Sequence, residues 1–442
     1  MKKIVCILLS VLMLCSSVIF AQAETTELTR AEKLALLEYQ NYIDELATEY
    51  EFNGVVYATQ NGKVLCQGGY GIANTDEDKE ITVDTLFAIG SVSKQFCASA
   101  ILLLQEQGKL SLDDTLVKYF PEYTVAKDVT LKNLLTMRSG IRDYVNRDFS
   151  YIDQPFPTDH YELSADFTVE ETRASILNWL YTQRLKFTPD SSKSYSNTNY
   201  FLLAIIVEKA SGMSYKDFLK ENIFNPLGMT NTGSYEDLAY SPDIAEHCSP
   251  YGEPIEAHVK GMVYGTGDIV SNVKDIDKWC TGLTNGTLLS EESYKAMTTS
   301  YDGYGYGIEI HDKGKLYHNG AICTYVTELI MYPEKGLNIV AITNDYDTCL
   351  FNGLPVDDLA YELEELTVTG IISGDIDKDN SVNIKDATEI QSYVAKLASF
   401  ADNQKLRANV DEDSSVSIKD ATAVQMFVAK LNTDSTAGNK II

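Results

Sequence analysis

Positive charge is scarce in this chain: 36 lysines and arginines stand against 64 aspartates and glutamates, a formal charge of −28. So acidic a surface repels phosphate backbones and anionic lipids, which argues against nucleic acid or a membrane surface as partner. Long apolar runs are scarce as well. Beyond the first twenty residues no stretch is long and apolar enough to span a bilayer, so the sequence does not read as an integral membrane protein. G-x-S-x-G is absent, which removes the nucleophile elbow of an α/β-hydrolase. The eight cysteines include no zinc-ligand spacing.

The single long apolar run lies at the start. Lys2 and Lys3 precede Ile4 to Phe20, and Ala21-Gln22-Ala23 supplies the small-x-small pattern that signal peptidase cuts. The run is short for a membrane span and is interrupted by Ser10, Ser16 and Ser17. Residues 1–23 are therefore expected to be a signal peptide and the protein to be secreted. Six cysteines survive its removal: Cys66, Cys97, Cys248, Cys280, Cys323 and Cys349. A secreted location permits disulfides, six cysteines allow fifteen pairings, and isolated buried thiols are an equal reading.

At 442 residues the chain exceeds what one core usually organises, so two or more domains are expected. Residues 24–367 alternate between helical and strand periods and read as one α/β unit. A helix from Thr29 to Tyr50 leads into strands Gly54 to Thr59 and Lys63 to Tyr70, joined by the hairpin signal Asn61-Gly62. Lys315 to Tyr317, Tyr325 to Tyr332 and Leu337 to Thr343 are expected strands of the same sheet. Between them lies a mostly helical insert with helices at Ser91 to Gln107, Asn199 to Ser211 and Lys274 to Thr281. A final helix, Asp357 to Leu366, precedes a linker at 368–373.

Three triplets carry chemistry. Ser91-Val92-Ser93-Lys94 opens an apolar helix that Gly108 ends. A spacing of three puts Ser91 and Lys94 on one helical face, where a lysine deprotonated by burial can take the seryl proton. The motif alone is weak, for Ser271 and Lys274 satisfy it too; there Ser271 reads as a helix N-cap. Tyr195-Ser196-Asn197 sits between a polar turn and an apolar helix, a setting that projects a phenol and an amide into a cleft. Beside two cations that tyrosine is expected to be partly ionised and to act as a base, with Asn197 orienting substrate and Lys94. His318-Asn319-Gly320 lies on a strand just before Ala321, whose N–H can join that of Ser91 in an oxyanion hole. Taken alone, His318 is an ordinary half-buried histidine.

With these triplets in this order, the chain resembles the β-lactamase-related serine hydrolases over roughly Phe52 to Thr343. That family spans penicillin-binding proteins and D-alanyl-D-alanine carboxypeptidases, class C β-lactamases, D-aminopeptidases and some esterases. The stretches LFAIGSVSKQF, LLTMRSGI, YSNTNYFLLAIIVEKASGMSYKDFLKENIFNPLGMTNTG and YGYGIEI carry the likeness further. The resemblance implies a β-lactamase/transpeptidase-like α/β fold: an antiparallel sheet flanked by helices, plus a mostly helical subdomain. It also implies Ser91 as acylated nucleophile, Lys94 and Tyr195 sharing proton transfer, Asn197 and His318 contacting substrate, Gly320 and Ala321 lining its path, and no cofactor for catalysis. Two departures matter. HNG stands where class C β-lactamases have K-T-G, which favours peptidases and esterases over β-lactam breakdown, and Met137 stands where many relatives carry histidine. The segment Ile141 to Asp190 is expected to form a lid.

From Gly374 the sequence repeats: GDIDKDNSVNIKDATEI returns as ANVDEDSSVSIKDATAV from Ala408. In the first copy Asp375, Asp377, Asp379, Ser381 (by its carbonyl), Asn383 and Asp386 fall at the oxygen-ligand positions of a calcium loop. In the second Asn409, Asp411, Asp413, Ser415, Ser417 and Asp420 take the same places. Two structural calcium ions are expected. Behind the loops, Ala387, Ile390, Val394 and Leu397 recur as Ala421, Val424, Val428 and Leu431, two apolar stripes expected to bury each other. Asn380 and Ser414 replace the usual turn glycine, and aspartate replaces the last glutamate. In these departures residues 374–432 resemble dockerins, small all-α modules with paired calcium loops that dock secreted enzymes on cohesin domains of a scaffold. That likeness implies a cohesin partner selected by Ile384, Lys385, Ile418 and Lys419, with residues 433–442 left as a tail. The expected whole is a secreted acyl-transfer hydrolase for D-amino-acid amides or esters, held in a cellulosome-like complex. Hydrolysis of carbohydrate-linked esters of plant cell walls and an inactive binding module stay as alternatives.

Overall fold

The computed structural model describes residues 30–75, 77–145, 167–246, 261–345, 360, 361, 363, 364, 371–431 and 434–440. The expected signal peptide, Cys248, Cys349, the middle of the expected lid and most of the Asp357–Leu366 helix lie outside them. The chain divides into two compact units, residues 36–371 and a C-terminal unit from Ile372.

The larger unit is built on a six-stranded antiparallel sheet. Its strands are β1 (Gly54–Gln60), β2 (Lys63–Tyr70), β3 (Glu309–Ile310), β4 (Leu316–Ile322), β5 (Tyr325–Tyr332) and β6 (Leu337–Thr343), in the order β2-β1-β6-β5-β4-β3. Asn61 and Gly62 both take positive φ, the twist a two-residue hairpin between β1 and β2 requires. Every residue of β6 is buried, Asn338 and Thr343 included, as befits a mostly apolar run at the sheet's centre, and Val340 pairs with Tyr57 on one side and Leu329 on the other. β4 runs well past the expected Lys315–Tyr317, through His318, Asn319 and Gly320 to Ile322. Its outer neighbour β3 covers only Leu316 and Tyr317. The rest of the β4 edge is thus left for another segment.

That segment is the tight turn Gly90–Val92, which leads into the helix Ser93–Glu106. The helix is apolar nearly all round, so it lies inside the unit, with Ser93 to Leu102 and Leu104 buried. Gly108 ends it at φ +68°, and the Lys109 amide donates to the Leu104 carbonyl. Asn197–Ser211 packs beside it and is buried from Asn197 to Val207. Val273–Thr284 lies against the sheet, where Asp277 accepts from Thr59 and Asn338, and its Trp279 ring sits 4.0 Å from that of Phe96. Emptying that contact by Phe96→Ala is worth about 3–5 kcal/mol.

Some expectations are corrected. Asn272, not Ser271, caps the Val273–Thr284 helix; Ser271 is buried on a short strand and Lys274 pairs with Asp84. The flanks of the expected lid belong to the core, since Ile141, Tyr144, Thr172, Ile176 and Leu180 are buried. Cys66, Cys97 and Cys280 are buried free thiols, and burial pushes the Cys66 thiol up to about 12. Among the described residues no helix is long and apolar enough to cross a membrane.

Among the described residues the C-terminal unit holds three helices, Ile384–Val394, Asp402–Ala408 and Ile418–Val428, the middle one unforeseen by the repeat. Ala387, Ile390, Ala421 and Val424 form its core, but Leu397 and Leu431 are 82 % and 58 % exposed, and Val394 and Val428 are exposed too. Only the first half of each stripe is therefore buried: Val394 and Val428 close their helices at the edge of the core, and Leu397 and Leu431 lie beyond the helix ends. Nor is the stretch beyond 432 a free tail: Ala437 is buried, Ile372 bridges to Lys440, and the Gly438 amide donates to the Ser373 carbonyl.

Candidate active site

Two glycines set the distance between β4 and the nucleophile turn. A Cβ added to Gly320 would lie 2.0 Å from the Ile89 carbonyl oxygen, and one on Gly90 would lie 2.8 Å from the Ala321 nitrogen. Gly90 also holds φ +52°, a backbone other residues resist. Only glycine at both places lets the strand edge come this close, and it brings the Ala321 amide beside the turn that carries the Ser91 amide.

Ser91 is half-buried at the start of the helix, and its Oγ meets two groups at once. Lys94 Nζ lies 3.0 Å away and the Tyr195 hydroxyl donates to the same oxygen at 3.0 Å. Lys94 is completely buried, and Nζ donates to the Thr266 carbonyl at 2.7 Å. Burial strips the ammonium of water and lowers its pKa to about 7, against a smaller opposing pull from Asp143 and Asp268. At neutral pH much of it is a free amine, with N–H left for Thr266 and a lone pair for the seryl proton.

Tyr195 is 39 % exposed, its ring open to solvent and 5.1 Å from Lys94 Nζ while its hydroxyl turns in toward Ser91. Burial of that hydroxyl pushes the phenol above its ordinary value, and the Ser91 contact offsets this only in part. The expectation of a partly ionised tyrosine between two cations is thereby corrected. His318 does not serve as a second cation, for burial and the nearby Lys94 lower its pKa to about 3.

His318 is also placed differently from the expected substrate contact. Its side chain is buried, Nδ1 lies 2.6 Å from the Asn319 carbonyl and Nε2 lies 3.1 Å from the Tyr304 hydroxyl. The neutral ring thus donates through Nδ1 and accepts through Nε2, with both nitrogens engaged inside the protein. On β4 it is Asn319 and Ala321 that face outward, while His318 and Gly320 face in. Asn197 begins its helix, buried, and its Nδ2 donates to Asp143 Oδ2 at 3.0 Å.

Three residues of this site were not singled out from sequence, Asp143, Thr266 and Tyr304, and a fourth, Met137, was noted there without a role. Thr266 acts through its carbonyl, so its side chain gives no signal. Asp143 becomes visible only once the fold sets it against Asn197. Tyr304 lies in the YGYG stretch, which marked the family likeness without revealing a partner for His318. Met137 takes φ +59° and its sulfur accepts from the Ser196 amide and the Asn199 side chain, so it fastens the Tyr195 turn to the helix behind it.

In the C-terminal unit, carboxylate oxygens of Asp375, Asp377 and Asp386 lie within 4.8 Å of one another. Among the described residues, Asp375 Oδ1 and its counterpart Asn409 Oδ1 are buried without a hydrogen bond. Burial pushes the Asp375 carboxyl up to about 6 and raises that of Asp420. Asp386 and Asp420 each accept backbone amides of their own loop, which fixes them at the loop's end. Crowded carboxylates and orphaned inward oxygens fit a hard divalent cation. Asp379, Ser381, Asn383, Asp411, Asp413, Ser415 and Ser417 are more exposed or half-buried on the same loops, while Ile384 and Ile418 are 56 % and 54 % exposed at the starts of the two helices.

The sequence matches the family described as beta-lactamase over residues 39–351. It is similar to a penicillin-binding protein of Bacillus subtilis (strain 168), 29 % identical over 69 % of this chain and 71 % of the relative. It is also similar to the teichoic acid D-alanine hydrolase of Staphylococcus aureus (strain MRSA252), 25 % identical over 68 % of this chain and 72 % of that protein. Among solved structures, the octameric penicillin-binding protein homologue from Pyrococcus abyssi superposes with a TM-score of 0.60 at 27 % identity, covering 75 % of this chain and 77 % of that one.

Proposed function

Since the chain belongs to the beta-lactamase family, whose members are serine hydrolases, we propose that it hydrolyses D-aminoacyl esters or amides through an acyl-enzyme on Ser91. The observation that carries this reading is the meeting of Lys94 Nζ and the Tyr195 hydroxyl on one seryl oxygen, each at 3.0 Å. Neutral Lys94 takes the Ser91 proton as Oγ bonds to the substrate carbonyl carbon, and the amides of Ser91 and Ala321 hold the oxyanion. Tyr195, still protonated, passes a proton to the departing amine or alcohol and regains one from Lys94. Water then attacks the acyl ester by the same route, releasing the acid and Ser91. The name of the Staphylococcus aureus relative supports a D-alanyl ester as substrate. So does charge: His318 is neutral where K-T-G enzymes hold a cation, and Asp143 and Glu309 both act on the Tyr195 phenol, so the cleft favours an ammonium over a carboxylate. Amide against ester, and peptide-linked against carbohydrate-linked acyl groups, are choices for the assay.

The test is labelling with a serine-reactive phosphonate, followed by a panel of D-alanyl esters, D-amino-acid amides, D-Ala-D-Ala peptides, acetylated xylan and nitrocefin. Labelling lost in Ser91→Ala and turnover of the first two classes are expected. Unchanged labelling in Ser91→Ala refutes the mechanism, and rapid nitrocefin turnover refutes the reading of the HNG triplet.

Residues 374–440 belong to the same proposal as a calcium-dependent dockerin-like module that carries a secreted enzyme to a cohesin. The two loops supply the twelve ligand residues, and calcium would supply structural order there. The exposed Ile384, Ile418, Leu397 and Leu431 offer apolar surface for a partner, with Lys385 and Lys419 beside it. Calorimetric titration should find two sites, both lost in Asp375→Ala with Asp411→Ala, and binding to an immobilised cohesin should vanish with chelator.

A further inference from the structure

A cavity of about 690 Å³ lies among the helix Val169–Thr182, the end of the helix Asn197–Ser211, the helix Tyr215–Leu219, and residues 233–240 and 261–269. None of Ser91, Lys94, Tyr195, Asn197 or His318 lines it. Four tyrosines do: Tyr215, Tyr235, Tyr240 and Tyr264. The volume suits a small organic molecule, and mostly apolar walls with a few polar groups are what such ligands select.

Charge says which kind. Two cations, Arg173 and Lys216, share the walls with four carboxylates, those of Glu170, Glu208, Glu236 and Asp268. Arg173 is committed to Glu208 at 2.5 Å and lies 4.5 Å from the centre of the Tyr264 ring. Lys216 is held by Asp237 at 2.7 Å and by Glu236 at 3.9 Å. Neither is left for Asp268. Its Oδ2 accepts the Gly265 amide at 2.9 Å, but Oδ1 is buried and accepts no hydrogen bond among the described residues. A buried carboxylate oxygen without a donor is costly in a folded protein and calls for a partner. Aromatic faces also attract a cation electrostatically.

From this complementarity we infer that the cavity binds a small organic cation with an apolar body, an alkyl- or arylammonium ion whose N–H groups donate to Asp268. The site is separate from the cleft but near its base. Asp268 follows two residues after Thr266, whose carbonyl holds Lys94, and the neighbouring Ile269 amide donates to Ser93 Oγ at 3.2 Å.

The experiment is calorimetric titration of the full chain with 2-phenylethylammonium, and with 3-phenylpropionate as its anionic counterpart. A ligand of this size is expected to bind in about the millimolar range. Asp268→Asn should weaken it about tenfold or more, because a charge-assisted hydrogen bond is lost. Ala239→Trp, which fills the cavity from its wall, should abolish it, and 3-phenylpropionate should not bind. No saturable binding of the ammonium, equal binding of the anion, or undiminished affinity in Ala239→Trp overturns the assignment. Should Asp268→Asn prove unable to fold, the Ala239→Trp result decides.

Discussion

Lys94→Met should make the protein inactive and more stable at the same time. Methionine matches the volume of the lysine stem and needs no hydration, whereas the buried ammonium has been drawn from 10.5 down to about 7. At about 1.4 kcal/mol per tenfold in proton affinity, that burial costs the charged form about 5 kcal/mol. Removing the amine also leaves the Thr266 carbonyl and the Ser91 hydroxyl short of a partner, a loss of about 1–3 kcal/mol that offsets part of the gain. The net is a stabilisation of about 2–4 kcal/mol, or about 4–8 °C in the melting temperature of the larger unit. The pH dependence carries a definite sign. Between pH 7 and 10.5 the unfolded lysine binds a proton that the folded one does not, so wild-type stability rises with pH across that window. The advantage of Lys94→Met is therefore full below pH 7 and shrinks as pH climbs toward 10.5. Scanning calorimetry at pH 6 and pH 9, paired with acylation rates that fall about 10²–10⁴-fold, checks both halves. A variant that melts below wild type at pH 6, or whose advantage grows toward pH 9, refutes the claim that burial sets the state of this lysine.

The same pKa predicts an acid limb near pH 7 in the pH profile of kcat/KM, with activity lost as Lys94 gains its proton; Tyr195→Phe should slow turnover about 10²-fold or more yet leave that limb in place. Gly320→Ala should abolish phosphonate labelling and lower the melting temperature by several degrees, since its Cβ meets the Ile89 carbonyl at 2.0 Å and forces β4 off the nucleophile turn. Tyr304→Phe should destabilise by about 1–3 kcal/mol by leaving His318 Nε2 without a donor, and because burial keeps that ring neutral no new limb should emerge near pH 6. A D-alanyl ester should be hydrolysed about tenfold faster, in kcat/KM, than its N-acetylated form, which lacks the ammonium that the Asp143 and Glu309 carboxylates favour; equal rates refute the charge argument.

What the sequence made legible follows from where each group acts. Ser91 and Lys94 declare themselves because both work through side chains three residues apart on a helix, and that spacing survives folding unchanged. The β1–β2 hairpin is equally plain, since Asn61-Gly62 is a local signal with a local consequence. His318 misleads because a strand alternates faces: its position in the triplet implies substrate, but on β4 it turns inward, and only the register with Leu329 on β5 tells which face is which. The apolar stripes of the C-terminal unit mislead for a related reason. Helical periodicity continues to Leu397 and Leu431, but the helices stop at Val394 and Val428, so the last residues of each stripe leave the core. Thr266 was beyond reach altogether, because a carbonyl oxygen belongs to every residue and only tertiary structure chooses one.

These cases share a cause with the chemistry of the cleft. Burial silences three of the groups around Ser91: the Tyr195 phenol and the Tyr304 phenol are held above their ordinary range, and His318 below it. The same burial brings Lys94 alone into the range where an enzyme at neutral pH needs a base. One physical term, loss of water, acts in opposite directions on acids and bases, and so it sets Lys94, with a pKa near neutrality, apart from the groups it holds protonated or neutral, without any special residue at each place. The sequence names the residues, but the depth at which the fold sets each one assigns the roles. HNG in place of K-T-G is then a change of charge, since the neutral ring braces Tyr304 and brings no cation for a substrate carboxylate.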